Sequence, residues 1–162
     1  MKDKNLVIMC GPAGSGKTTW VRANAEPGTS AHISRDRIRF NMVKEDEYYF
    51  SRENEVYMEF IRQLRKACNS EWVDTIYADA THLTKKSREK LIEEVTAICP
   101  WAEVSAVVIL PKLEDCLKQN AQRQGRERVP DSVITNMYHS FQDPFKDDIE
   151  YKEINYTHNK EE

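Results

Sequence analysis

The stretch that most restricts the fold is "NLVIMCGPAGSGKTT", residues 5–19. A short apolar run leads straight into a glycine-rich loop, and helix formers follow it. Gly11, Gly16, Lys17 and Thr18 satisfy G-x-x-x-x-G-K-[ST]. Glycines at this spacing let backbone N–H groups turn inward around phosphate oxygens. The N-terminus of the helix behind them adds partial positive charge. Such a loop works only with a strand before it and a helix after it, and this sequence supplies both. Gly11, Pro12, Ala13, Gly14, Ser15, Gly16, Lys17, Thr18 and Thr19 are therefore the expected nucleotide cradle. Lys17 is expected at the β- and γ-phosphates, with Thr18 on Mg²⁺.

The rest of the chain alternates strand and helix. "AHIS", "DTIYAD", "EVSAVVIL" and "EYKEINYT" read as further strands. Helices are expected from about Lys17 to Ala25, through "RDRIRFNM", from Glu53 to Asn69, and from a Thr84 cap to about Cys99. Two more follow, one opened by Pro111 and one near Asp131. "KEDEYYFS" reads as a polar surface loop, and "RQGRERVP" breaks the last two helices apart. This pattern predicts an α/β fold, a mostly parallel sheet of four to five strands with helices on both faces. One domain is expected over residues 1–157, with a frayed tail at 158–162.

Composition narrows the classes. The chain has 162 residues, 31% charged and 40% apolar, as expected of a soluble globular domain. The longest apolar run, Val104–Leu110, is too short to span a bilayer, and the N-terminus does not read as a signal peptide. A cytoplasmic location is the expectation. The net charge of −3 argues against coating long nucleic acid but leaves room for a small basic pocket. Cysteines at 10, 68, 99 and 116 have no metal-type spacing and read as reduced, mostly buried thiols.

Three further segments carry candidate chemistry. In "SRDRIRF", Asp36 falls just past the second strand, at the sheet edge where such folds bind ligands. An acid there can accept a proton from an attacking hydroxyl; its alternative duty is to cap the helix. Arg39 shares its helix face and suits an anionic group on the acceptor. Asp79 ends the third strand, near a metal or its waters, or else caps the next turn through Thr81 or His82. Arg123, Arg126 and Arg128 lie in a glycine-containing break, a place for a closing segment or for a plain basic turn. Lys85, Lys86 and Arg88 read as a solvated face, with a nearby phosphate as the alternative. His32 and Trp20 read as packing residues, and His139 as surface or core.

Taken together, "GPAGSGKTTW", "SRDRIR", "ADATHLTKKSR" and "RQGRERVPDSVITNMY" resemble the kinase module of the polynucleotide 5′-hydroxyl kinases, within the P-loop kinase superfamily. The resemblance runs in order from about residue 5 to residue 141. It implies a helical lid over about 111–141. It implies that Asp36 is the general base and that Arg39 grips the 3′-phosphate of the terminal nucleotide, with Arg35 beside the same pocket. It implies that Arg123 contacts ATP phosphates, with Arg126 or Arg128 able to share that duty, and that Val129 packs on the terminal base. Thr81 is expected on the acceptor side, and Thr18 and Asp79 at the metal. His82 stands where Asn is common, and Gln119 where another lid arginine is common.

The expected activity is therefore ATP- and Mg²⁺-dependent phosphoryl transfer to the 5′-hydroxyl end of RNA or DNA, with no membrane association. A kinase of a small hydroxylated metabolite and an ATP-binding module without transfer are the rivals. No acid pair of the kind used by an accompanying phosphatase module occurs, so 3′-phosphatase activity is not expected.

Overall fold

The computed structural model describes residues 3–157. Five strands form one sheet: β1 (Asn5–Cys10), β2 (Ser30–Ser34), β3 (Thr75–Asp79), β4 (Glu103–Ile109) and β5 (Glu153–Thr157). Their order is β2-β3-β1-β4-β5, and every pair is parallel. β1 lies at the centre, which explains its near-continuous apolar sequence: a central parallel strand is covered on both faces. Six helices connect the strands: α1 (Lys17–Asn24), α2 (Arg35–Met42), α3 (Glu53–Cys68), α4 (Lys85–Thr96), α5 (Leu113–Gln122) and α6 (Asp131–Ser140).

Alternate strand residues face opposite layers. Leu6, Ile8, Ile76, Ala78, Ala106 and Val108 pack with Phe60 and Leu64 of α3 and Leu91 and Val95 of α4. Met9, Tyr77, Val107 and Ile109 face the other way, onto Val21 of α1, with Trp20 packed alongside. A third cluster joins Ala13 of the glycine loop to Cys116, Val129 and Ile134. It seats α5 and α6 on the loop itself. Asn120, on the apolar side of α5, is fully buried and grips Val129 twice: its amide donates to the Val129 carbonyl at 2.6 Å and accepts from the Val129 N–H at 3.1 Å.

Two helix ends move from their expected places. α4 stops at Thr96, although Cys99 N–H still reaches the Val95 carbonyl. α5 opens at Leu113 with Lys112 as its N-cap, not at Pro111. The expected strand positions hold to within a residue, except that β5 starts at Glu153 and not at Glu150.

Arg88 overturns the reading of a solvated face. Its side chain is fully buried and paired bidentately with Asp147, at 2.7 and 2.8 Å. It also donates to the carbonyls of His82 at 2.9 Å and Gln142 at 2.8 Å. One guanidinium thus ties the turn before α4 to the chain after α6, and four oxygen contacts compensate its desolvation. Lys85 stays near the surface, 2.6 Å from Asp148, and Lys86 is exposed. All four cysteines are free and buried. Among the described residues, no helix is long and apolar enough to cross a membrane.

Candidate active site

The glycine loop spans from the end of β1 to the start of α1, and close packing explains two of its glycines. A Cβ on Gly11 would lie 2.2 Å from the Ile109 carbonyl oxygen, and one on Gly14 would lie 2.7 Å from that of Cys116. Gly14 and Gly16 also take left-handed φ values of 81° and 100°. Lys17 is buried, and its ammonium donates to the Pro12 carbonyl at 2.9 Å. Burial pushes its pKa below the ordinary lysine range, against the pull of Asp79 and Asp36. Ser15 Oγ is buried without a hydrogen-bond partner. A buried ammonium and an orphaned hydroxyl in a ring of backbone amides fit a polyphosphate.

Thr18 and Asp79 meet across the base of the cleft, the Thr18 hydroxyl donating to Asp79 Oδ2 at 2.8 Å. Asp79 is buried at the carboxyl end of β3. His32, expected only to pack, donates from Nε2 to the same oxygen at 2.7 Å. Strand register explains this: Ser34 of β2 lies beside Asp79, and His32 precedes it on the same face. Burial opposes ionisation of Asp79, but the His32 hydrogen bond, the Lys17 charge and the Thr18 hydroxyl outweigh it and hold its pKa below the usual carboxylate range. The Asp79 carboxylate does not cap the following turn. Hydroxyl and carboxylate oxygens are the hard donors Mg²⁺ takes. The described residues contain no group of three or more His, Cys, Asp or Glu able to hold a metal.

Opposite the loop, α2 starts at the carboxyl end of β2. Its N-cap is Ser34, whose hydroxyl accepts the Arg37 N–H at 3.2 Å. Asp36 is thereby relieved of capping, and its side chain, 60% exposed, lines the cleft. Arg39 Nη1 donates to Asp36 Oδ1 at 2.6 Å, which leaves Oδ2 available. The rest of that guanidinium belongs to Glu53: Nε and Nη2 each reach one carboxylate oxygen at 2.7 Å. Arg35 approaches Glu53 only at 3.4 Å, lies 5.3 Å from the Tyr57 ring, and keeps a buried Nε without a partner. The rings of Tyr49 and Phe50 flank Arg39 at 5.6 and 5.0 Å. The segment expected as a polar surface loop thus contributes a buried Tyr49 and a half-buried Phe50, because both cover the Arg39 pair.

The break between α5 and α6 contains a 3-10 turn, Gly125–Glu127, that reaches across the cleft. Arg126 of this turn donates to the carbonyls of Val43 (2.6 Å), Lys44 and Phe40 (both 2.9 Å), at the end of α2. Its guanidinium is engaged there as a latch, whereas the sequence expectation had it on nucleotide phosphates. Arg123 lines the cleft with only a 3.3 Å contact to the Glu127 carbonyl. Thr81, Gln119, Arg128 and Val129 line it too, Val129 with most of its surface already buried. The cleft so formed has a volume of about 1290 Å³.

His82 carries φ 41°, the left-handed region where Asn is several-fold enriched. It is buried, donates from Nδ1 to the Met9 carbonyl at 2.8 Å, and has its pKa pushed down to about 4 by that burial. It buttresses the floor of the site from behind β1.

A parallel five-stranded sheet with its phosphate-type loop at the end of the central strand, covered by a helical lid, defines a P-loop kinase fold. The chain belongs to the AAA domain family, whose pattern it matches over residues 6–144. No curated protein matches the sequence. Solved structures match its fold. A candidate kinase of Chloroflexus aurantiacus superposes with a TM-score of 0.75 at 12% identity, covering 98% of this chain and 86% of that one. A fungal RNA kinase gives 0.65 at 13% identity, covering 96% and 74%. A gluconokinase of Sinorhizobium meliloti gives 0.59 at 14% identity, covering 98% and 84%. At such identities the likeness shows the fold alone.

Proposed function

We propose that this chain is an ATP-dependent kinase that transfers the γ-phosphate to the 5′-hydroxyl end of RNA or DNA. The observation that carries the reading is Asp36: Ser34 takes over the cap, and the carboxylate faces the cleft it shares with Lys17. Asp36 Oδ2 accepts the proton of the acceptor hydroxyl as its oxygen attacks the γ-phosphorus in line. The bond from that phosphorus to the bridging oxygen breaks, and ADP leaves. Lys17 and the loop amides hold the phosphates. Arg123 offsets charge on the transferring group, an effect worth up to about 10³–10⁵ in rate in other nucleotide hydrolases. Thr18 and Asp79 are the residues that would hold Mg²⁺, which would supply positive charge against the phosphates. Arg39 both steadies Asp36 and, with Arg35, presents cationic donors to an anionic acceptor.

One observation favours a second reading, a kinase of a small hydroxylated metabolite. Glu53 neutralises much of Arg39, and a neutral acceptor needs no free cation there. An ATP-binding module without transfer is the third reading, marked by nucleotide binding or turnover with no phosphorylated product.

The test is transfer from labelled ATP to a 5′-hydroxyl oligonucleotide, a nucleoside 3′-phosphate and a metabolite panel. Labelling of the nucleic acid ends is the expected result, and labelling of metabolites alone overturns it. Asp36→Asn should keep nucleotide affinity and lose most transfer. Near-normal transfer in that variant would remove the base assignment.

A further inference from the structure

Two exposed aromatic rings line the cleft on the side of α2. Phe40 is 45% exposed and Tyr48 73% exposed, and both line the cleft. Phe40 follows Asp36 by four residues in α2, so the two share a helix face one turn apart, a rise of about 6 Å. Tyr48 stands on the loop after α2, braced edge-on against Phe50 at 5.8 Å; Phe50 meets Tyr49 in the same manner at 5.2 Å.

Phe40, Tyr49 and Phe50 lie beside guanidinium groups, whereas Tyr48 rests on Phe50. Arg126 lies 4.9 Å from the Phe40 ring and 5.4 Å from Tyr49. Tyr49 and Phe50 in turn flank Arg39. Phe40 is therefore held by Arg126, and Tyr48 is braced by Phe50, before any ligand arrives, which lowers the ordering entropy that opposes their use as stacking surfaces. Charge permits the same use. Of the acids in the loop after α2, Glu47 lines the cleft, and it is paired with Arg52 at 3.0 Å. Arg37, exposed on α2, lines the cleft as well. Exposed rings beside guanidinium groups suit unpaired bases, whose faces stack on aromatics whatever their sequence.

We infer that Phe40 and Tyr48 form a stacking subsite for the bases that follow the terminal nucleotide, so that the preferred acceptor is a single-stranded oligonucleotide. This rests on the nucleic-acid reading above. Bases inside a duplex are already stacked on each other and cannot use the rings.

The experiment measures transfer from ATP to a nucleoside 3′-phosphate, a graded series of single-stranded 5′-hydroxyl oligonucleotides, and a blunt duplex. In the unaltered protein kcat/KM should rise from the mononucleotide to the short oligonucleotides and fall on the duplex. Phe40→Ala and Tyr48→Ala should each lower kcat/KM on the oligonucleotides about tenfold, mainly through KM, with a much smaller loss on the mononucleotide. Phe40→Tyr and Tyr48→Phe should restore the length dependence. The loss should also persist as salt is raised, because stacking releases no counterions. A flat length dependence in the unaltered protein overturns the subsite while leaving 5′-hydroxyl transfer standing. Equal losses on mononucleotide and oligonucleotide overturn it as well, since they mark a structural role. Transfer to a metabolite and to no nucleic acid overturns the functional reading and the subsite together.

Discussion

Glu53 holds Arg39 by two hydrogen bonds of 2.7 Å, one to each carboxylate oxygen, while the same guanidinium reaches Asp36 at 2.6 Å. The cation expected to greet the acceptor is thus already balanced by two acids. It braces Asp36 and, in the proposed reaction, also contacts the acceptor's anion, and the two duties separate in kinetics.

Arg39→Ala should lower kcat/KM for a 3′-phosphorylated acceptor about 10- to 100-fold, the worth of a charged hydrogen bond. Glu53→Gln should split the effect: KM for that acceptor falls as the cation is freed, and kcat falls as Asp36 loses its brace. Steady-state kinetics on acceptors with and without the 3′-phosphate decide the matter. Equal behaviour of the two acceptors would show that Arg39 reads no anion.

His32 and Thr18 share one oxygen of Asp79. His32→Ala should raise the Mg²⁺ concentration for half-maximal transfer roughly tenfold, as loss of an outer partner of a metal-binding group does elsewhere. His32→Asn should recover part of it. A Mg²⁺ titration at saturating ATP is the measurement, and an unchanged midpoint would leave His32 as a packing residue.

Arg88 and Asp147 are both buried. Arg88→Met leaves an unpaired carboxylate and should cost about 3–5 kcal/mol. Equilibrium denaturation in urea reads this directly. The double variant Arg88→Met/Asp147→Leu should regain much of the loss, because it removes the stranded charge.

Burial holds the His82 pKa down at about 4, against 6.5 for the free side chain. A lowered folded pKa means that the unfolded chain takes up its proton first as pH falls. The His82 contribution is therefore complete above pH 6.5 and is lost as pH drops towards 4. The loss is on the order of 3 kcal/mol. Thermal melts across that window should show the decline, and His82→Asn, which tolerates the left-handed backbone, should flatten it.

The elements near the glycine loop were legible because their chemistry is local. A strand, a turn that needs glycines and a helix are neighbours in the chain, and the pattern states its ligand class. Asp36 was legible as a candidate because it follows a strand end directly. Its freedom was not, since either Ser34 or Asp36 could cap α2 and only the backbone path selected Ser34. Asn120 did leave a signal, a polar residue on the apolar face formed by Cys116 and Leu117, and it marks the clasp on Val129. Arg88 left none: its neighbours Lys85 and Lys86 are a surface run, and Asp147 lies 59 residues away.

From the order of residues alone follow the alternation of strand and helix, the phosphate-type loop and a short set of candidate acids and arginines. These depend on steric preferences and periodicity within a turn or two of chain. Which arginine is latched, which residue caps α2 and which histidine supports the Asp79 carboxylate were settled by folding. Strand register brings His32 to Asp79 across 47 residues, and lid docking turns Arg126 onto the end of α2 across more than 80. Such pairings are chosen by which buried charges find partners once the layers close, and that choice exists only in three dimensions.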